Sequence, residues 1–320
     1  MSVLVTGASG FVGKHLIDAL RRTLPTSVKL IAVDREKSDS QPPQDEVIRA
    51  SVDMTDAGAV DRLVRSAKPS RVVHLAARSS VSQAQNAARA TFDVNFGGTQ
   101  ILANALRKHA PGCVVIFAST GEVYGSAFAS GLPLAETAPV LPTNPYARSK
   151  LAAEFMLADT LSEVCPVIAL RLLNHTGPGQ DERFVVPAFA AQIARIEAGV
   201  AAPVVRVGNL MAERDFIDIA DVVDAYLLAL GLAESTTGFH LFNVGSGAVR
   251  SIASILNELI AMSTSACAIE QDPTRMRASD IPRAICAISA FGSATGWTAK
   301  RNWSDTLHSV LDYWRAKTMK

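Results

Sequence analysis

Tyr146 and Lys150 lie four residues apart within a stretch of helical character, Pro145 to Ser162, a spacing that stacks two side chains on one helix face. An ammonium beside a phenol favours the phenolate, so the pair is expected to lower the tyrosine pKa and to supply a proton donor and acceptor. Thr120 closes the apolar run that begins at Val114, where its hydroxyl would reach a reacting carbonyl or hydroxyl. Two residues on, Glu122 is expected to point the same way along an extended chain.

A second set of residues opens the chain. Thr6-Gly7-Ala8-Ser9-Gly10-Phe11-Val12-Gly13 follows the first apolar run directly and leads into a helix, the context a dinucleotide-binding loop requires. Glycines there permit a tight turn and close approach of backbone to a pyrophosphate, and the helix N-terminus adds unpaired N–H groups and partial positive charge. Asp34 stands 21 residues after Gly13 at the end of the next apolar run, where a carboxylate accepts from ribose hydroxyls and favours NAD(H). Arg35 follows at once, and its guanidinium suits a 2′-phosphate, so NADP(H) stays open beside NAD(H). Asp53-Met54 would flank the adenine, and the small Leu75-Ala76-Ala77 would pass beneath the cofactor.

These groups need a scaffold that brings strand ends together. The first half alternates short apolar runs (VLV, VVHLA, VVIFA) with helical stretches at 11–24, 56–67, a long helix within 84–109, and 145–162. Continuous apolar runs suit strands buried on both faces, which predicts an α/β chain with a Rossmann-type, doubly wound parallel sheet. Its site belongs at the carboxyl ends of the strands. After about residue 174 the rhythm loosens, with Gly177-Pro178-Gly179, Pro187 and Pro203, which predicts a smaller, mostly C-terminal substrate-binding lobe. Residues 1–173 form the cofactor domain in this reading, 215–245 return to it, and 174–214 with 246–320 form the lobe.

Composition narrows the function classes. At 320 residues the chain exceeds one ordinary core, in keeping with two lobes. A net charge of +1 with no long single-sign run offers no basic surface, so a nucleic-acid partner is not expected. Cys113, Cys165, Cys267 and Cys286 are scattered without a Cys/His cluster, which points to neither a disulfide framework nor a metal site and fits a cytoplasmic protein. No apolar run is long enough for a membrane span, so no membrane role is expected.

The combination of T-G-x-x-G-x-x-G, the His74-Leu75-Ala76-Ala77 strand end, A-S-T-x-E-V-Y-G at 118–125 and Y-x-x-x-K resembles the extended short-chain dehydrogenases of the NAD-dependent epimerase/dehydratase type that modify nucleotide-sugars. The resemblance implies that Thr120, Tyr146 and Lys150 form a catalytic triad and that Asn95 supports a helix near the nicotinamide. In related 4,6-dehydratases a Thr-x-Glu supplies the carboxylate that removes a sugar proton, so Glu122 is either such a base or an acceptor for a sugar hydroxyl.

The stretch 171–180 with Phe184-Val185-Val186-Pro187 resembles GDP-6-deoxy-4-keto-hexose reductases, which form GDP-D-rhamnose. It places Leu173 at the cofactor and Asn174 and Val185 at the substrate. Gly208-Asn209-Leu210 through Asp215, and 272–280, resemble segments of GDP-sugar enzymes. A diphosphate wants guanidinium donors, met by Arg214 and Arg277, and a ribose diol wants a carboxylate, met by Asp280.

The implied activity is NAD(P)H-dependent reduction of a GDP-linked 4-keto-6-deoxy sugar by a homodimer. A 4,6-dehydratase or 4-epimerase that keeps its NAD(P) is the alternative. A non-catalytic dinucleotide-binding regulator is a lesser one, and it predicts indifference to Tyr146→Phe.

Overall fold

The computed structural model describes residues 1–36, 47–276 and 281–319. The first part of the chain runs β1 (Ser2–Thr6), α1 (Phe11–Thr23), β2 (Lys29–Asp34), β3 (Val47–Ser51), α2 (Ala57–Ala67), β4 (Arg71–His74), α3 (Val81–Asn86), α4 (Ala88–Phe92), a π turn (Asp93–Gly97) and α5 (Gly98–His109). It continues with β5 (Val114–Thr120), a 3-10 turn (Gly121–Tyr124), α6 (Pro145–Thr160), β6 (Val167–Leu172), β7 (Asn174–Thr176), α7 (Val185–Glu197), β8 (Val204–Val207), β9 (Glu213–Asp218) and α8 (Ile219–Leu232). The remainder is β10 (Phe239–Val244), β11 (Val249–Ser251), α9 (Ile252–Ala261), β12 (Ala268–Gln271), β13 (Arg283–Ala284), α10 (Ser289–Thr295) and α11 (Trp303–Thr318).

A seven-stranded parallel sheet has the order β10-β6-β5-β4-β1-β2-β3. The order reverses direction between β1 and β4, the switch point where an open parallel sheet leaves a crevice at its carboxyl edge. Every residue of β1 and β6 is buried, because helices cover both faces. One face packs Leu16, Leu20, Val222 and Tyr226 of α1 and α8; the other packs Val60, Leu102, Leu106 and Leu157 of α2, α5 and α6.

The long helix expected within 84–109 is interrupted twice. Ala87 leaves helical geometry at φ −138°, and the π turn widens the backbone at Asp93–Gly97. The reason lies at Asn95, whose fully buried amide bonds to neighbours outside its own helix. Period counting cannot detect a single widened turn, and such turns gather at functional sites.

β7, β9, β11 and β13 form a smaller sheet, and β8 pairs with β12. The sequence reading sent the chain back to the main domain at 215, whereas β9 stays in the small sheet through Asp218. α8 then packs on α1, and β10 joins the large sheet beside β6.

The lobe's own core joins α7, α9 and α11 through Phe189, Ile193, Leu256, Val310 and Trp314. Arg315 clamps it: its Nε and Nη2 donate to Glu197 at 2.7 and 2.8 Å, and Nη2 also donates to the Met262 carbonyl at 2.9 Å. The guanidinium pulls the Glu197 carboxyl down to about 2 from its usual 4.5, so this stabilisation is present above about pH 4.5 and is lost as pH falls through 2. Glu197→Gln is expected to cost about 2 kcal/mol at neutral pH by denaturant midpoint. The gap from wild type should shrink in acid, and a gap independent of pH would contradict this assignment.

Candidate active site

The carboxyl ends of β1, β2, β4, β5 and β6 converge on one crevice. Gly7 sits in the left-handed region at φ +69°, and a Cβ there would lie 2.8 Å from the Ala76 nitrogen. At Gly13 a Cβ would lie 2.3 Å from the Gly7 carbonyl oxygen, so the loop and the first turn of α1 close on each other only with glycine at both places. α2 and α6 are capped by the side chains of Asp56 and Asn144, whereas Gly10 at the start of α1 has none to offer. The first N–H groups of α1 are therefore left for a ligand.

Asp34 is tied to this loop, its Oδ1 accepting from the Ser9 N–H and Oγ–H, both at 2.8 Å. Arg35 turns outward to an exposed pair with Glu36 at 2.9 Å. Asp53 is also exposed, and its carboxylate, held low by the Thr55 N–H and hydroxyl, closes a local turn. Met54 beside it is buried against Gly98. Ala76 and Ala77 extend from β4, and directly after them Arg78 buries its Nε with no hydrogen-bond partner. A glycine cradle, an uncapped helix start and an unpaired guanidinium N–H fit a dinucleotide diphosphate. Arg78 was missed in the sequence; its signal was a cation directly after the small strand-end residues.

A buried chain of hydrogen bonds fixes the geometry. The Ala76 N–H donates to Thr6 Oγ1, which contacts His74 Nδ1 at 2.6 Å; His74 Nε2 contacts Thr99 Oγ1 at 2.9 Å, and that hydroxyl donates to the Asn95 carbonyl. Since Thr99 spends its proton on Asn95, His74 carries hydrogen on Nε2 and accepts on Nδ1. The Asn95 side chain accepts from the Arg78 N–H and donates to Ser149, which donates to the Tyr146 carbonyl. Thus the cofactor shelf, the π turn and the helix carrying Tyr146 are one network.

Burial pushes His74 down to about 3 from 6.5, so its contribution is complete above about pH 6.5 and drains away as pH falls toward 3. His74→Asn should flatten the loss of stability between these limits, read from denaturant midpoints; an unchanged slope would count against it.

Thr120 ends β5 and lies beside the Tyr146 phenol. Burial and the nearby Glu122 carboxylate push that phenol up to about 12, with Thr120 acting in the opposite direction. The downward shift expected from Lys150 is not what the structure has. The Lys150 ammonium is buried, donates to the Ala118 carbonyl at 2.8 Å and lies 4.7 Å from the centre of the Phe117 ring, and burial brings it down to about 7.

Glu122 also differs in its local structure. It lies on the 3-10 turn, its N–H donating to Thr120 Oγ1 at 3.2 Å, so a tight turn and not strand alternation brings it toward Tyr146. Its Oε2 accepts from Asn144, which in turn caps α6.

Leu173 is buried against Gly121 and Gly245 beneath the crevice. Asn174 starts β7 and donates to the Asp215 carbonyl at 3.4 Å, and half-buried Val185 begins α7. Arg214 lies in β9, with Nη1 donating to the Glu213 carbonyl. Arg277 and Asp280 lie outside the described residues. Among the described residues no group of three or more His, Cys, Asp or Glu side chains could hold a metal ion, and no helix is long and apolar enough to cross a membrane.

Residues 3–245 match the NAD dependent epimerase/dehydratase family. The chain is 33% identical over 316 residues to GDP-6-deoxy-D-mannose reductase of Pseudomonas aeruginosa, spanning 98% of this chain and 97% of the relative. Its fold superposes on RMD from Pseudomonas aeruginosa complexed with NADPH with a TM-score of 0.83 at 31% identity, covering 99% of both chains. It also superposes on UDP-glucose 4-epimerase from Thermus thermophilus in complex with NAD, with a TM-score of 0.84 at 27% identity over 98% of this chain and 99% of the other.

Proposed function

We propose, from the premise that this chain belongs to the NAD dependent epimerase/dehydratase family, that it reduces the C4 ketone of GDP-4-keto-6-deoxymannose to a GDP-6-deoxyhexose, GDP-D-rhamnose, with NADPH or NADH. The observation that carries this reading is end-to-end similarity to a GDP-6-deoxy-D-mannose reductase, in a chain whose Thr120, Tyr146 and Lys150 share one site.

The bound cofactor supplies the hydride; the protein supplies orientation and charge placement. The Gly7–Gly13 loop, the start of α1 and Arg78 would hold its diphosphate, Asp34 the adenosine ribose, and Lys150 the nicotinamide ribose. Thr120 and Tyr146 then hydrogen-bond the oxyanion that grows at C4, and Tyr146 passes its proton to that oxygen. Asn174, Val185 and Arg214, with Arg277 and Asp280, would hold the GDP-sugar.

The test is to form GDP-4-keto-6-deoxymannose from GDP-mannose with a separate dehydratase, add this protein with NADPH or NADH, and follow the reduced cofactor's absorbance. Stoichiometric oxidation with a GDP-6-deoxyhexose product supports the reading, and the faster cofactor decides between Asp34 and Arg35. No oxidation, with GDP-mannose consumed in the control lacking the dehydratase, would sink it and make Glu122 the base of a 4,6-dehydratase.

We also propose a homodimer joined through α5 and α6, since Phe155 on α6 leaves 58% of its surface exposed. Phe155→Lys should move the mass measured by light scattering from dimer to monomer; a monomeric wild type would refute this.

A further inference from the structure

One helical turn beyond Lys150, α6 buries a second charge that the mechanism above does not use. Glu154 is 3% exposed and Lys150 2%. Glu154 Oε1 accepts from Ser119 Oγ and from Arg171 Nε at 3.1 Å, and its Oε2 accepts from Arg171 Nη2 at 2.7 Å. Ser119 and Arg171 face each other across the β5–β6 pair, and Ser119 adjoins Ala118, whose carbonyl holds the Lys150 ammonium. Arg171 is fixed on its far side by the Tyr124 ring, 4.8 Å away, and by the Glu136 carbonyl. Two cations and one carboxylate therefore share a site cut off from water, where an ammonium without a nearby anion would shed its proton.

We propose that Glu154 is a positioning residue for the reaction: its carboxylate, locked by Ser119 and Arg171, keeps Lys150 charged and aligned one turn below Tyr146. This rests on the reading that Lys150 holds the nicotinamide ribose. The other groups around Lys150 do not provide the counter-charge. His74 on β4 is neutral, Arg171 on β6 repels, and Glu122 on the 3-10 turn is bonded to Asn144 near the phenol. Asp93 of the π turn is exposed and paired with Arg89. Phe117 on β5 contributes only its ring face. Burial lowers Lys150 to about 7, and Glu154 is the group that opposes this fall.

The experiment titrates NADPH binding by fluorescence from about pH 5.5 to 9 for wild type, Lys150→Met, Glu154→Gln, Glu154→Asp and the double variant Glu154→Gln/Arg171→Met. In wild type, affinity should fall as pH rises through the Lys150 titration, and Lys150→Met should abolish that dependence. Glu154→Gln should move the fall about one pH unit lower, a loss of about tenfold in affinity at mildly alkaline pH, and Glu154→Asp should restore part of it. The double variant removes the stranded Arg171 charge, which protects folding, and its midpoint should fall between those of Glu154→Gln and wild type. If Glu154→Gln and the double variant keep the wild-type midpoint and lose only stability, the pair is structural and the inference is overturned. If wild type and Lys150→Met titrate alike, the assignment of Lys150 to the cofactor fails and takes this inference with it.

Discussion

Tyr146→Phe is expected to lower kcat of the reductase by about 10²- to 10⁴-fold, the range for losing a positioned general acid. NADPH affinity and the denaturation midpoint should hardly change. The ring stays in place, because Asn144 and Ser149 set the start of α6 through bonds to backbone groups and not through the phenol. What disappears is the hydroxyl beside Thr120 and, in the proposed reaction, the proton for the oxyanion at C4. A Thr120→Val variant removes one of two donors to that oxyanion and should cost less than Tyr146→Phe. Unchanged turnover in Tyr146→Phe would remove this residue from the chemistry and favour the reading of the chain as a non-catalytic binder.

The direction of the pH response follows from the same contacts. Because burial and Glu122 hold the phenol near 12, Tyr146 stays protonated across the neutral range and does not limit the rate there. Lys150, brought down to about 7, is the group in the site that changes charge near neutrality. Its protonated form predominates on the acid side, so affinity for the reduced cofactor should weaken as pH rises above about 7.

The parts of the site legible in the sequence are those whose chemistry is local. Gly7 and Gly13 follow a buried strand and open a helix, and the space at both rules out a side chain. Tyr146 and Lys150 are set by helical spacing. The shifts in their proton affinities were not legible, because spacing gives proximity and not burial, and burial is the leading cause of both shifts. The π turn at Asn95 escaped because its cause is a set of bonds to Arg78 and Ser149, distant in the chain. Glu122 was expected on extended backbone, but the chain tightens into a 3-10 turn capped by Thr120. The Ser119–Glu154–Arg171 cluster draws on three elements, and its one local signal was a charged residue inside the otherwise apolar strand VIALRL.

How the two sheets keep their relation depends on Asp215, and the second large effect is expected there. This β9 carboxylate is fully buried, and it crosses to the turn that follows β10 of the large sheet. Its Oδ1 accepts from the Ser246 N–H at 2.9 Å and from the Ser246 hydroxyl at 2.5 Å, while Oδ2 accepts from the Gly247 N–H at 2.8 Å. Gly245 completes the fit, since a Cβ there would lie 2.8 Å from Oδ2.

Asp215→Ala removes the acceptor shared by two N–H groups and leaves the Ser246 hydroxyl only the Ala248 carbonyl, at 3.2 Å, and it should cost about 1–3 kcal/mol in denaturant unfolding. Asp215→Asn is nearly the same shape but should recover little of this. Its Oδ1 can still serve Ser246, yet its Nδ2 brings a donor against the Gly247 N–H. Because Arg214 and Asn174 flank this joint, Asp215→Asn should also raise KM for the GDP-sugar more than KM for NADPH. Wild-type stability in Asp215→Asn would mean that shape alone holds the joint, and that the carboxylate's charge has no part in setting the lobe against the cofactor domain.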